Sequence, residues 1–474
     1  MKKLFFSTLY NQTIIFTLAM LGFVLWNLSP SPQISDSAWH LFIIFILTIA
    51  GIIINPMPMG AVCFIGIAAL TLTGTLTLEN CLAGFGADLV WLVVFAFFIS
   101  QGFTKTGLGN RIAYYLISIF GKSTLGLTYS LVASEFFLSP LIPSVTARGG
   151  GIIYPIAHSL SESFVDKSHK AVSNRTGGFI MQVCVQSNVI TSSLFLTAMA
   201  ANPLIVKLAK DVGVEITWAS WAIAALVPGI INLVLMPMVL YFFYKPEITH
   251  SESAPTVARQ KLEEMGKIKT NEMIMLATFF LLIGLWIWGG LIGVSATMTA
   301  LIGFSILLVS GVLKWDDAIA DKHAWHAFIW FATLVMMSGY LTKSGIISWF
   351  GLSIQAQLGH LEPHVAVIIL SLIYFYMHYL FASITAHITV LFPTFLVVFI
   401  HLGVPPEAAA LALGFMSILS GGITHFSIGS APIYFGSGYM KTATWWKLGG
   451  IISVLNLLSW TLFAGLWWKF LGLY

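Results

Sequence analysis

The stretch SPLIPSVTARGGGIIYPI, residues 139–156, decides how this chain folds. It ends an apolar run with Ser-Val-Thr-Ala-Arg and three glycines. A second stretch, LFASITAHITVLFPTF at residues 380–395, carries the counterpart Ser-Ile-Thr-Ala-His. The surroundings of both are apolar: 58% of the chain is hydrophobic, 8% is charged, and the mean hydropathy is +0.91. Soluble domains carry about 25% charged residues, so this chain cannot coat a water-facing surface. Its apolar runs are about 20 residues long, the length of membrane helices, and lack the ten-residue alternation of a membrane barrel.

Two apolar stretches with polar middles, about 125–158 and 366–397, therefore read as re-entrant hairpins. Irregular backbone at membrane depth is tolerated only under a cover of protein or beside a water-filled cavity. Eleven other runs can span, near 12–29, 39–56, 58–78, 88–104, 178–200, 215–243, 271–291, 294–313, 324–341, 406–423 and 445–472. With a cytoplasmic N-terminus this layout puts 17 Lys and Arg inside and 4 outside, leaving Arg148 within a hairpin. That is the positive-inside bias, and it holds only if the hairpins do not cross. The fold class expected is an all-α polytopic membrane protein of about eleven transmembrane helices with two re-entrant hairpins. The basic N-terminus lacks a small-residue cleavage site and reads as a retained first helix. Cys63, Cys81 and Cys184 show no ligand spacing and read as buried bystanders.

The two halves repeat. GFTKTGL (102–108) recurs as YLTKSGI (340–346), and the triplets follow 40 residues after Thr104 and 41 after Thr342. Each half continues into a helix with a polar break, LTAMAANP (196–203) and SGGITHFSIGSAP (420–432). Five crossings separate the copies, an odd number, so the repeat is inverted, a signature of transporter folds. The expected units are a first half at 1–243 (hairpin 125–158, broken helix 178–203), a solvated cytoplasmic linker at 244–270, and a second half at 271–474 (hairpin 366–397, broken helix 406–435).

At a hairpin turn, two hydroxyls and the free N–H groups of a helix start can hold a carboxylate. Two tips arriving from opposite sides suit a ligand with a carboxylate at each end. Arg148 at membrane depth costs at least about 2.5–3.5 kcal/mol and requires a counter-charge or water. Glu135, thirteen residues earlier, is one partner open to it; an anionic substrate is the other, worth about 4 kcal/mol at 4 Å and an effective dielectric of 20. His387 stands at the matching place in the second half, and His378 and His425 lie in polar patches nearby. No HExxH, GxSxG or carboxylate cluster is present, which argues against an intramembrane enzyme, and two opposed hairpins disfavour a channel.

On these residues the chain resembles the divalent anion:sodium symporter family across nearly its full length. The resemblance lies in eleven helices, two hairpins, two broken helices and the triplets Ser144-Val145-Thr146 and Ser383-Ile384-Thr385. The branch most similar is that of citrate/succinate, tartrate and 2-oxoglutarate/malate exchangers. It implies carboxylate binding at Ser144, Thr146, Ser383 and Thr385; Val145 and Ile384 between them, and Arg148 and His387 by charge and register, complete the expected substrate site, with Thr197, Asn202, Thr424 and Ser430 as further candidates from the helix breaks. The family triplet is Ser-Asn-Thr, and its asparagines help hold sodium; Val145 and Ile384 offer no oxygen. With Arg148 and His387 as fixed cations, an empty carrier would be reluctant to return. That implies sodium-independent exchange of dicarboxylates (malate, succinate, fumarate, 2-oxoglutarate, with citrate as a further case), the alternative being a sodium-coupled symporter. The resemblance further implies an elevator motion, a homodimer in the cytoplasmic membrane, no cofactor and no nucleic-acid partner.

Overall fold

The computed structural model describes residues 2–28, 32–163, 172–250, 253–358 and 362–474. Lys167 and Lys170, assigned above to a cytoplasmic loop, lie outside the described residues. The chain is helical throughout, with no strand among the described residues beyond one isolated bridge between Ser123 and His250.

Both halves run through the same order of elements. Helices Asp36–Ile54 and Met59–Leu72 correspond to Thr270–Trp288 and Ala296–Val309, each pair followed by a short helical turn. Helix Asp88–Thr106 then ends at Gly107 with φ +76°, and helix Lys322–Lys343 ends just before Gly345 with φ +79°. Both glycines occupy the left-handed conformation that closes a helix and that other residues resist. The repeated motifs GFTKTGL and YLTKSGI are thus matching helix stops. Each is followed by a 13-residue helix, Leu108–Phe120 or Ile346–Leu358. Next come the hairpin arms, Thr124–Leu138 and Pro363–Tyr376, then the tips, and then the helices that leave the tips.

Among the described residues, eight helices are long and apolar enough to cross a membrane. Six coincide with expected spans: Asp36–Ile54, Asp88–Thr106, Trp218–Phe243, Thr270–Ile292, Lys322–Lys343 and Thr442–Leu471. The expected runs at 12–29, 58–78 and 294–313 correspond to shorter apolar helices, Gln12–Trp26, Met59–Leu72 and Ala296–Val309. The runs at 178–200 and 406–423 do not qualify. The first is interrupted by a buried polar series in helix Val172–Leu194, and the second is the 14-residue helix Pro406–Leu419, which stops at the break. The other two of the eight are the arms of the second hairpin, Pro363–Leu380 and Ile384–His401, each 18 residues long. At 1.5 Å per residue such an arm reaches about 27 Å, close to the hydrocarbon thickness, so length does not distinguish a returning arm from a crossing one.

The linker contains a helix, exposed on most of its surface. Residues Ser253–Met265 form a helix that packs on Leu108–Phe120, with Ala254 and Ala258 fully buried. Upstream of it, Thr124 donates its N–H to the Thr249 carbonyl (3.0 Å) and its hydroxyl to the Ile248 carbonyl (2.5 Å), while Ile248 N–H donates to the Thr176 hydroxyl (3.1 Å). At the downstream end, Arg111 donates to the Gly266 carbonyl (2.9 Å) and grips the Glu272 carboxylate with two nitrogens. The composition is polar because only one face of this helix is covered. Glu272 is buried, so Arg111→Met strands a carboxylate. It should lower stability by up to about 3 kcal/mol, the lower end of the range for breaking a buried pair. The double variant Arg111→Met/Glu272→Leu should recover most of that in a thermal melt of the detergent-solubilised protein.

Candidate functional site

The two triplets fold alike. Ser144 accepts the Ala147 N–H on its hydroxyl (3.1 Å) and the Arg148 N–H on its carbonyl (2.9 Å). Ser383 accepts the Ala386 N–H (3.5 Å) and the His387 N–H (3.1 Å) in the same way. Each serine is therefore an N-cap, satisfying one of the free donors of a helix start. The threonine two residues on lies in the first turn. Thr146 and Thr385 are half-buried, and neither hydroxyl has a hydrogen-bond partner among the described residues. The N–H groups of Val145, Thr146, Ile384 and Thr385 likewise reach no carbonyl there. Each tip thus presents a threonine hydroxyl and two backbone donors, the equipment for one carboxylate. Val145 and Ile384 are buried, and in this setting their backbone N–H groups are all they offer an anion.

Both tips touch one segment, the second break at 420–432. A Cβ placed on Gly429 would lie 2.5 Å from the Thr146 hydroxyl oxygen, and one placed on Gly421 would lie 2.7 Å from Ile384 Cδ1. Glycine at these positions lets the break pass between the tips. Helices leave the tips in different forms: Thr146–Ile153 is wound as a π-helix around the three glycines, whereas Ile384–His401 is an α-helix. Gly150 faces Ile433, 2.4 Å from where its own Cβ would stand.

Arg148 does not wait for an anion. Its Nε donates to Glu135 Oε1 (2.6 Å), Nη1 to the Ile142 and Ala198 carbonyls (2.7 Å each), and Nη2 to Ser192 Oγ (2.7 Å) and the Asn188 carbonyl (3.5 Å). The guanidinium and the carboxylate are both fully buried. Of the two partners open from sequence, the structure contains Glu135, and the further bond of Arg148 to the Ala198 carbonyl ties the first hairpin to the first break. The expected fixed cation is thereby compensated internally. His387 is also enclosed: its Nε2 lies 3.0 Å from the Tyr374 carbonyl, and its ring packs against Tyr374, His378 and Phe381. No carboxylate pairs with it among the described residues, and its Nδ1 has no hydrogen-bond partner. It belongs to the wall of the second hairpin, together with His378, whose Nε2 is 3.2 Å from the Ser427 carbonyl.

The four candidates from the breaks are likewise occupied by internal bonds. Thr197 donates to the Pro140 carbonyl and accepts the Trp218 indole N–H (3.1 Å). Asn202 donates to the Ser192 and Phe195 carbonyls (2.8 and 2.9 Å), closing the end of the preceding helix. Thr424 pairs with the Ser427 hydroxyl inside its own loop. Ser430 donates to Asn188 Oδ1 (2.7 Å). A residue type suited to binding is equally suited to closing a broken backbone, and here the backbone takes Thr197, Asn202 and Thr424 while the Asn188 side chain takes Ser430. His425 accepts the Trp446 indole N–H and lies off the tips.

Asn188 was not singled out from the sequence. It is fully buried, and its carboxamide joins Glu135, the Val145 carbonyl (3.4 Å) and Ser430. The available signal was the run Gln182, Gln186, Ser187, Asn188, Thr191, Ser192 and Ser193, polar on every face of an apolar-length helix and fully buried. Such a run makes sense only inside a polar network.

A duplicated order of helices, with two capped helix starts meeting one broken helix, is the build of a multi-pass membrane protein, and its family and relatives make it a transporter and not an enzyme. The chain matches the sodium:sulfate symporter transmembrane region over residues 9–474, and it belongs to that family, the divalent anion:sodium symporters. It is 47% identical over 456 residues to the chloroplastic dicarboxylate transporter 1 of Arabidopsis thaliana, covering 96% of this chain and 82% of that one. It is 35% identical over 463 residues to the citrate/succinate antiporter of Escherichia coli K12, covering 92% and 95%. Among solved structures, the YdaH transporter of Alcanivorax borkumensis superposes with a TM-score of 0.58 at 16% identity, covering 98% of each chain, a likeness of fold.

Proposed function

We propose that this protein exchanges dicarboxylates across the cytoplasmic membrane without sodium, acting on C4 and C5 diacids of the malate, succinate, fumarate and 2-oxoglutarate class, and on citrate. The observation that carries the reading is the pair of capped tips, each with an unbonded threonine hydroxyl and free N–H groups, both abutting residues 420–432. Each helix start supplies roughly half a positive charge, so two of them match a dianion's two ends. The names of the relatives support the substrate class, and that of the E. coli protein supports exchange.

Compensation of Arg148 by Glu135 changes the reason for exchange. Among the described residues no unpaired fixed cation lies at the tips, so a dianion moving alone carries its charge across the potential, at about 4.6 kcal/mol per 100 mV. A one-for-one swap of dianions moves no net charge. An empty site, moreover, exposes unpaired N–H groups that are costly to carry past apolar surroundings. We take the tips to belong to re-entrant hairpins of an inverted repeat, moving together as an elevator against a dimerised remainder. The excess of Lys and Arg on one side supports a cytoplasmic N-terminus.

Vesicles loaded with malate should take up labelled succinate without sodium, and empty vesicles should not. Uptake into empty vesicles driven by a sodium gradient would replace this reading with sodium-coupled symport.

A further inference from the structure

We propose that Asn188 is a positioning residue that sets which length of diacid the paired tips accept. The proposal rests on the dicarboxylate reading above and assigns a role to a residue that itself touches no substrate.

Asn188 lies in helix Val172–Leu194 of the first half, yet its three carboxamide contacts reach three separate elements. Its Nδ2 donates to Glu135 on the first hairpin arm and to the Val145 carbonyl at the first tip (3.4 Å). Its Oδ1 accepts from Ser430 at the end of the second break (2.7 Å). The same junction is fastened by the Tyr434 hydroxyl, which donates to the Gly149 carbonyl (2.9 Å). It leaves little slack, since a Cβ on Gly149 would stand 3.0 Å from Asn188 Nδ2 and 3.3 Å from Ser430 Cβ.

The second break is also held from the other side. Gln186, two residues before Asn188 and so about half a turn around the same helix, donates to the Gly422 carbonyl (2.8 Å), and the Ser427 carbonyl meets His378 of the second hairpin. Residues 420–430 thus act as a spacer between the tips, and Asn188 fixes its contact with the first tip. A diacid bridging two anion holes is selected by the distance between its carboxylates. That distance discriminates only if the holes are held to a fraction of an ångström. Loosening the Asn188 junction lets the first tip drift relative to the second, and neighbouring chain lengths then bind more alike.

The experiment is inhibition of labelled succinate exchange by unbranched α,ω-diacids of increasing length, in vesicles containing the full chain. Asn188→Ala and Ser430→Ala are each compared with wild type. Ser430→Ala loses one neutral hydrogen bond and should shrink the ratio between the best diacid and its one-carbon-longer neighbour by roughly 2- to 12-fold; Asn188→Ala loses that bond and those to Glu135 and Val145 and should shrink it at least as much. The maximal exchange rate with the best diacid should fall less than that ratio does. Ser430→Ala removes one hydroxyl from a buried wall and keeps the test alive should Asn188→Ala fail to fold. A uniform loss of rate with an unchanged length profile in the folded variants would make Asn188 a purely structural residue and overturn the proposal. If no diacid inhibits or exchanges through wild type, the dicarboxylate reading itself fails; a wild type that exchanges beside variants with its own profile sinks only the role of Asn188.

Discussion

Arg148→Gln and Glu135→Gln, made singly, should leave little folded protein. Each leaves a charge at a fully buried position where the partner has been removed. Breaking a buried pair in this way costs about 3–5 kcal/mol, against a total stability of about 5–15 kcal/mol. Arg148 also holds the Ile142 and Ala198 carbonyls, so its loss frees backbone acceptors on the hairpin and on the first break together. Replacing both charges, in Glu135→Met/Arg148→Met, removes the uncompensated ion and should return monodisperse protein, still less stable than wild type because those carbonyls remain unpaired. The readout is size-exclusion recovery and thermal melting of the solubilised protein. A stable Arg148→Gln variant that no longer binds dicarboxylate would reverse the assignment and return the guanidinium to the substrate.

What could be read from the sequence was mostly local. The serine caps at Ser144 and Ser383 act over three residues, and the stops at Gly107 and Gly345 close helices from within their own motifs. The repeat of the two halves is visible for the same reason, because each copy carries its own punctuation. Long-range partners were not legible. Glu135 and a substrate anion were both open to Arg148, and only the packing of the arm against the π-wound segment brings the carboxylate to Nε. Thr197, Asn202, Thr424 and Ser430 have the chemistry of ligands, yet each is taken by a partner inside the fold whose position the sequence does not specify. Asn188 contacts residues 53 positions before it and 242 after it, beyond the reach of any spacing argument. The docking of the linker helix was hidden for a different reason. Its polar face dominates the composition, while the small Ala254 and Ala258 that dock it on Leu108–Phe120 carry almost no hydropathic signal.

Thr146→Val and Thr385→Val should separate binding from folding. Valine has nearly the shape of threonine, and neither hydroxyl has a hydrogen-bond partner among the described residues, so melting should move by no more than about 0.5 kcal/mol. A hydrogen bond to a carboxylate is worth about 1.5–3 kcal/mol, so either change should raise the apparent KM for dicarboxylate exchange roughly 10- to 150-fold. Ser144→Ala and Ser383→Ala make the contrast, because each removes an N-cap and should cost about 1 kcal/mol of stability. The logic of two tips on one ligand makes the threonines equivalent. Were a single tip to hold the substrate, only its own threonine would matter, and normal exchange in Thr385→Val would remove the second hairpin from the site. With both replaced, each end of the diacid loses a donor, and exchange should fall below detection while the protein still melts as wild type does.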